Sequence, residues 1–204
     1  MTAHADITGL ILAGGRAQRM GGIDKGLVPF MGKPLIEHAI TRLSPQVAVI
    51  VINANRNLDR YAQYGHTVIA DHHPDFAGPL AGFAAGLEHC NTEYLLSAPC
   101  DSPVFPLNLS EQLLEAMITT QSDLVYASSL DSSGATWAQP VFCLMRRSVQ
   151  QSLQKFLDQG GRKIDRWFET LPSSTVVFAD EAAFANTNTP EELQALEQVL
   201  QASN

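Results

Sequence analysis

Near its start the chain runs from a short apolar segment straight into a glycine-rich, cationic loop: ITGLILAGGRAQRMGGIDKGL, Ile7 to Leu27. Ile7 to Leu12, interrupted only by Thr8 and Gly9, reads as a buried strand. The loop after it holds Gly14, Gly15, Gly21 and Gly22 together with Arg16, Arg19 and Lys25. Glycine admits φ > 0 and keeps side chains out of the way, so successive N–H groups can close around an anion. Cationic side chains strengthen that preference. A strand that delivers such a loop at its C-terminal end is where an α/β protein holds a phosphate. The loop therefore reads as a nucleotide cradle rather than a plain tight turn.

Three common phosphate motifs are excluded by spacing. The only Gly-Lys pair, Gly32-Lys33, is followed by Pro34 and not by a hydroxyl, so there is no P-loop. The loop has adjacent glycines rather than G-x-G-x-x-G, which removes both the dinucleotide fingerprint and the kinase glycine loop.

A length of 204 residues suits one domain with a full core. A net charge of -8 argues against nucleic acid as a partner. The cations gather early, four Lys/Arg against Asp6 and Asp24 in residues 1–35, while residues 180–204 hold five acids and no Lys/Arg. A local cationic site in an acidic chain fits a small anionic ligand better than a polyanion. Cys90, Cys100 and Cys143 have no C-x-x-C spacing and cannot all pair, which implies reduced thiols and a cytoplasmic setting. The N-terminus MTAHAD lacks a leader's basic and apolar regions, and no apolar run reaches membrane-span length. No membrane association is expected.

Hydrophobic periodicity then predicts alternating elements. A helix follows Pro34, read as its first helical position. A strand covers Val47 to Ile52, a short helix Asn57 to Tyr64 closed by Gly65, and a strand Thr67 to Ala70. A small-residue helix spans Leu80 to His89 and a strand Tyr94 to Ala98. β-α-β-α-β-α-β is the pattern of a parallel sheet with right-handed crossovers. The second half predicts a helix capped by Ser110, strands over Asp123 to Ser128 and Pro140 to Leu144 around a turn with Gly134, and helices over Ser148 to Gln159 and Lys163 to Thr170. A strand over Val176 to Ala179 precedes a capping box at Thr189-Pro190-Glu191-Glu192 that opens a terminal helix. One antiparallel strand is expected in this half.

The glycine loop, Asn53, Asp71 and Asp101 all fall just beyond strand C-termini, the edge at which open α/β sheets bind ligands. Asp101 reads as a Mg²⁺ ligand in preference to a turn cap, since Mg²⁺ takes one or two carboxylates plus substrate phosphates. Asp71 is either a second polar contact or a strand terminus. Asn53 either reads the base or ribose or forms an Asx turn. Lys25 supplies a point charge to the phosphates. The adjacent His72 and His73 lack a chelating spacing and a third ligand, so no zinc site is expected. No Ser-His-Asp triad or nucleophile elbow is spaced in the chain.

LAGGRAQRMGGIDKGL, GKPL, the NAN after the second strand, GPLAG (Gly78 to Gly82), PCDSP (Pro99 to Pro103) and NTNTPEEL (Asn186 to Leu193) together resemble the molybdenum cofactor guanylyltransferases. The resemblance spans nearly the whole chain. It implies a three-layer α/β/α Rossmann-like nucleotidyltransferase fold with a mostly parallel central sheet, as one domain over residues 1–204. Its N-terminal half would bind GTP and Mg²⁺ and its C-terminal half molybdopterin. LAGG, where related cytidylyltransferases tend toward LAAG, leans toward guanine. The implied catalytic groups are Lys25, Asp101 and Arg19. The implied nucleotide contacts are Leu12, Ala13, Gly14, Gly15, Gly22, Lys25, Asn53, Asp71, Gly78 and Asp101, with Asp101 on the metal. Arg162, Asn186 and Asn188 would face the pterin. Gly26 stands where the family often has alanine or another small residue. The implied reaction is GMP transfer from GTP to Mo-bound molybdopterin by a cytoplasmic monomer. An accessory GTP-binding protein and recipient molybdoenzymes are its implied partners. Transfer from CTP to molybdopterin or a sugar phosphate, and GTP sensing without turnover, are the alternatives.

Overall fold

The computed structural model describes residues 6–14, 24–72, 78–180, 182–185, 187 and 189–202. In chain order the elements are β1 (Ile7–Leu12), a small hairpin of β2 (Pro29–Phe30) and β3 (Lys33–Pro34), α1 (Leu35–Leu43), β4 (Val49–Asn53), α2 (Leu58–Ala62), β5 (Thr67–Ile69), α3 (Pro79–His89) and β6 (Tyr94–Pro99). The second half adds α4 (Leu109–Thr120), β7 (Leu124–Leu130), β8 (Thr136–Arg146), α5 (Gln150–Asp158), α6 (Ile164–Phe168), β9 (Ser173–Phe178) and α7 (Pro190–Ala202).

Seven strands form one sheet in the order β5-β4-β1-β6-β8-β7-β9. β8 alone is antiparallel to its neighbours, β6 and β7. The expected antiparallel strand in the second half is thus β8. Strand burial explains why the runs are apolar without alternation: both faces are covered. On one face Ile11, Ile52, Ala98 and Leu144 pack with Ile36 and Leu43 of α1 and Leu113 and Met117 of α4. On the other, Leu10, Val51, Leu95 and Met145 pack with Phe83 of α3, Leu153 of α5 and Trp167 of α6. This is the three-layer α/β/α architecture. A third cluster joins Leu193 and Leu196 of α7 to Phe30 and Leu35, so the C-terminal helix covers the hairpin and the start of α1.

Several local expectations need correction. Helix α1 begins at Leu35, with Pro34 as its N-cap in extended conformation. The hairpin before it has no counterpart in the sequence reading. Its turn puts Met31 at φ 47 and Gly32 at φ 79, and a non-glycine residue at positive φ carries no sequence signal. Ser110 does not cap α4. It lies inside the helix, and its N–H donates to Oε1 of Gln46, 2.9 Å away and 64 residues earlier. Gln46 also donates to the carbonyls of Arg42 and Pro106. A side chain from a distant 3₁₀ turn thus satisfies the helix start that a local serine was expected to satisfy. The capping box is as expected: Thr189 N–H donates to Glu192 Oε2 (3.1 Å), and Glu192 N–H to Thr189 Oγ1 (3.2 Å).

Candidate active site

The register places the strand ends side by side. Leu12 lies opposite both Asn53 and Pro99, and Asn53 opposite Ile69. The ladder runs one step further through Ala13 N–H to Asn53 O (2.8 Å) and Cys100 N–H to Leu12 O (3.0 Å). The residues beyond four separate strands therefore emerge along one rim, as expected from the sequence.

At the β1–β4 end of the rim, Gly14 lies against two amide side chains. A Cβ there would sit 2.9 Å from Asn55 Nδ2 and 3.2 Å from Asn53 Oδ1. Those amides are fixed by Asp71. Its Oδ1 accepts from Asn53 Nδ2 (2.9 Å) and its Oδ2 from Asn55 Nδ2 (2.7 Å), while its own N–H donates to Asn55 Oδ1 (2.8 Å). Asp71 thus orients Asn53 and Asn55 against Gly14, rather than only ending a strand. Asn55 was not singled out from sequence, although its place in the NAN segment was the available signal.

Helix α3 closes this end from one face of the sheet. Gly82 would clash, through a Cβ, with Leu12 Cδ2 (2.4 Å) and Asn53 Oδ1 (2.7 Å), and Gly86 with Leu10 Cδ2 (2.6 Å). The small residues read as tight packing in this helix are what let it lie directly on β1. Because Gly82 meets the strand ends and Gly86 the strand interior, the positive N-terminal end of α3 is the end at the rim. Gly78 caps that end at φ 59, ψ −140, a conformation reserved for glycine.

Next along the rim, Lys25 Nζ and Asp101 Oδ2 are 3.1 Å apart, and neither side chain is more than a quarter exposed. Asp24 anchors the backbone beside Lys25. Its buried carboxylate accepts from Tyr61 Oη and from Asn57 Nδ2 (2.9 Å). Burial, with Cys100 and the Asp24 carboxylate beside it, pushes the Tyr61 phenol far above its ordinary value and keeps it a donor. Gly26 allows this reach, since a Cβ would lie 2.4 Å from the Tyr61 hydroxyl. An alanine here would force the Tyr61 hydroxyl to shift. The backbone of Asp101 is held by Thr187, whose N–H and Oγ1 both donate to its carbonyl at 2.9 Å. The NTNTP segment thus reaches the rim through a threonine that sequence reasoning passed over.

Arg162 donates to the carbonyls of Leu157 and Gly161, which closes α5 locally. Arg19, Gly15, Gly22, Asn186 and Asn188 lie outside the described residues. His72 pairs with the exposed Glu88 at 3.3 Å.

Asp101 offers hard oxygen donors on a partly exposed rim, which suits a divalent ion. Among the described residues no three His, Cys, Asp or Glu side chains converge. An ion held by the described residues would take most of its remaining ligands from substrate phosphates and water, the usual arrangement for Mg²⁺.

The chain matches the family model described as MobA-like NTP transferase domain over residues 9–174. It is 63% identical over 200 residues to the molybdenum cofactor guanylyltransferase of Polynucleobacter asymbioticus, spanning 98% of this chain and 100% of that protein. It is 52% identical to the protein of that name from Ralstonia nicotianae, over 96% and 98% of the two chains. Among solved structures it resembles molybdopterin-guanine dinucleotide biosynthesis protein A from Archaeoglobus fulgidus, with TM-score 0.77 and 24% identity over 96% and 99% of the chains. It also resembles 4-diphosphocytidyl-2C-methyl-D-erythritol synthase from Anaerococcus prevotii, with TM-score 0.75 and 12% identity over 97% and 99%. At those identities the structural likeness establishes the fold.

Proposed function

The chain belongs to the molybdenum cofactor guanylyltransferases, and from that premise we propose that it transfers GMP from GTP to the terminal phosphate of Mo-bound molybdopterin, releasing pyrophosphate. The observation that carries this reading is the 63% identity over essentially the full length of a protein of that name. The rim geometry supports it, because each group there suits a triphosphate.

In the proposed reaction an anionic phosphate oxygen of the acceptor forms a bond to the α-phosphorus of GTP, and the bond from that phosphorus to the bridging oxygen of pyrophosphate breaks. The nucleophile is already deprotonated, so the chain needs no general base. The obstacle is charge: two anions must approach and a third must leave. Gly14 brings backbone close to the ligand, Asp71 holds Asn53 and Asn55 in fixed orientation beneath it, and the N-terminal end of α3 adds positive potential. Lys25 places its ammonium at the phosphates. Asp101 would hold Mg²⁺, which when bound neutralises charge on the phosphate oxygens. Positioning of this kind supplies most of what phosphoryl chemistry requires.

A reducing, cytoplasmic setting belongs to the same reading, since Cys90, Cys100 and Cys143 are all buried free thiols. No helix among the described residues is long and apolar enough to cross a membrane. The test is pyrophosphate release with molybdopterin and Mg²⁺, comparing GTP with CTP. Release with GTP and little with CTP is expected. A preference for CTP would reassign the donor, and saturable GTP binding without release would make the chain a sensor rather than an enzyme.

A further inference from the structure

A second concavity opens on the same rim, on the other side of Asp101 from the glycine segment. It is a cleft of about 560 Å³ lined by Ser129, Trp137 and Gln139 from the tips of β7 and β8, and by Ala182, Phe184 and Ala185 from the turn after β9. That volume lies within the range of small-molecule sites. β7 runs parallel to the strands that end at the nucleotide site, and Trp137 lies opposite Ser129 near the β7 end. In the sheet order, β6 with Asp101 beyond its end lies between β1 and the β8-β7 pair.

Two features mark the cleft as built. Trp137 is 57% exposed, an unfavourable place for so large an apolar side chain. Yet it is fixed: its Nε1–H donates to Asp131 Oδ2 at 2.8 Å, and Asp131 Oδ1 is held in turn by Ser133 and the Ala135 N–H. The opposite wall is anchored as well, with Phe184 packed edge-on against Phe142 and Phe178 in the core. Gln139 donates one amide hydrogen to Ser129 Oγ (3.1 Å), which leaves a donor and an acceptor on the same group for a ligand.

We propose that this cleft seats the flat heteroaromatic end of the acceptor, a pterin, with the Trp137 indole as its stacking platform. The inference rests on the guanylyl-transfer reading, which makes the acceptor a pterin. A held aromatic face beside a primary amide matches a ring system with a π-face and an edge of alternating donors and acceptors. The placement fits the chemistry too. Ala185 in the cleft wall is two residues from Thr187, which binds the Asp101 carbonyl, so the two lie within about 7 Å along the chain. Donor and acceptor then approach Asp101 from opposite sides.

The test compares the wild-type chain with Trp137→Ala and Trp137→Phe. Pyrophosphate release is measured with molybdopterin varied at saturating GTP, then with GTP varied. Binding of pterin-6-carboxylate is followed by quenching of its fluorescence. Trp137→Ala should raise the KM for molybdopterin about tenfold, leave the KM for GTP unchanged and weaken pterin quenching in step, while Trp137→Phe stays near wild type. Thermal melting checks that the variants fold, as an exposed position should allow. An unchanged acceptor KM in Trp137→Ala overturns the assignment, and so does a parallel rise in both KM values. If the wild type releases no pyrophosphate, guanylyl transfer is what fails. Loss of pterin-6-carboxylate quenching in Trp137→Ala would then still support the cleft, and retained quenching would sink it.

Discussion

Lys25 Nζ lies 3.1 Å from Asp101 Oδ2, although 76 residues separate them. One residue comes from the end of the glycine-rich segment and the other from just beyond β6, so their contact joins the two parts of the site proposed to hold phosphate and metal. Both side chains are largely buried, so removing one partner costs about 1–3 kcal/mol, more than breaking a surface bridge. Asp101→Ala should therefore melt several degrees below wild type but still unfold cooperatively, while its turnover, read as pyrophosphate release at saturating Mg²⁺, falls by about a hundredfold or more. Wild-type turnover in that variant would remove Asp101 from the proposed chemistry.

The Tyr61–Asp24 contact should matter for both folding and nucleotide binding. Tyr61→Phe takes away one of two side-chain donors to a buried carboxylate, a loss of about 1–3 kcal/mol. Chemical denaturation reads the stability change, and GTP titration should show weaker binding because Lys25 comes directly after Asp24 in the chain. Equal stability of Tyr61→Phe and wild type would show that the hydroxyl is dispensable. Gly26→Ala should mimic the defect by forcing the hydroxyl aside.

Helix α3 lies on β1 because Gly82 and Gly86 lack a Cβ. Gly82→Ala would press on Leu12 and on Asn53 Oδ1, at an expected cost of about 1–3 kcal/mol for overpacking. As the displaced amide belongs to the proposed nucleotide site, GTP affinity should fall along with the denaturation midpoint. A variant that loses neither would mean that α3 shifts freely.

Burial pushes the Cys143 thiol from 9.0 up to about 12, and Cys100 is raised as well by burial and by the nearby Asp101 and Asp24 carboxylates. The folded state then favours the protonated thiol. Below pH 9 both states are protonated and the shift has no effect. Above pH 9 the unfolded chain loses protons that the folded chain keeps, so stability falls by up to about 1.4 kcal/mol per pH unit per thiol until the folded thiol ionises, near pH 12 for Cys143. Denaturation between pH 8 and 10.5 should show this decline. A thiol reagent at pH 8 should label Cys100 and Cys143 only after unfolding, and rapid labelling of the native chain would contradict their burial.

The elements legible in the sequence were those whose signal is local. β1 matches its apolar run residue for residue, α3 and β6 lie within a residue of expectation, and the Thr189–Glu192 capping box has the expected reciprocal bonds. Buried parallel strands, small-residue helices and caps are each written within a few consecutive side chains. That Asp71 and Asp101 come just after strand ends was readable for the same reason, whereas Asn53, expected just past its strand, is the last residue of β4.

Tertiary structure alone decided how those residues are used. Asp71 commits its carboxylate to Asn53 and Asn55, Asp24 depends on Tyr61 and Asn57, the Asp101 carbonyl on Thr187, and the start of α4 on Gln46 instead of Ser110. Each is a hydrogen bond between groups 16 to 86 residues apart. A buried polar group must find some partner, but which one it finds depends on where the sheet order brings distant segments, and the sequence around it does not carry that information.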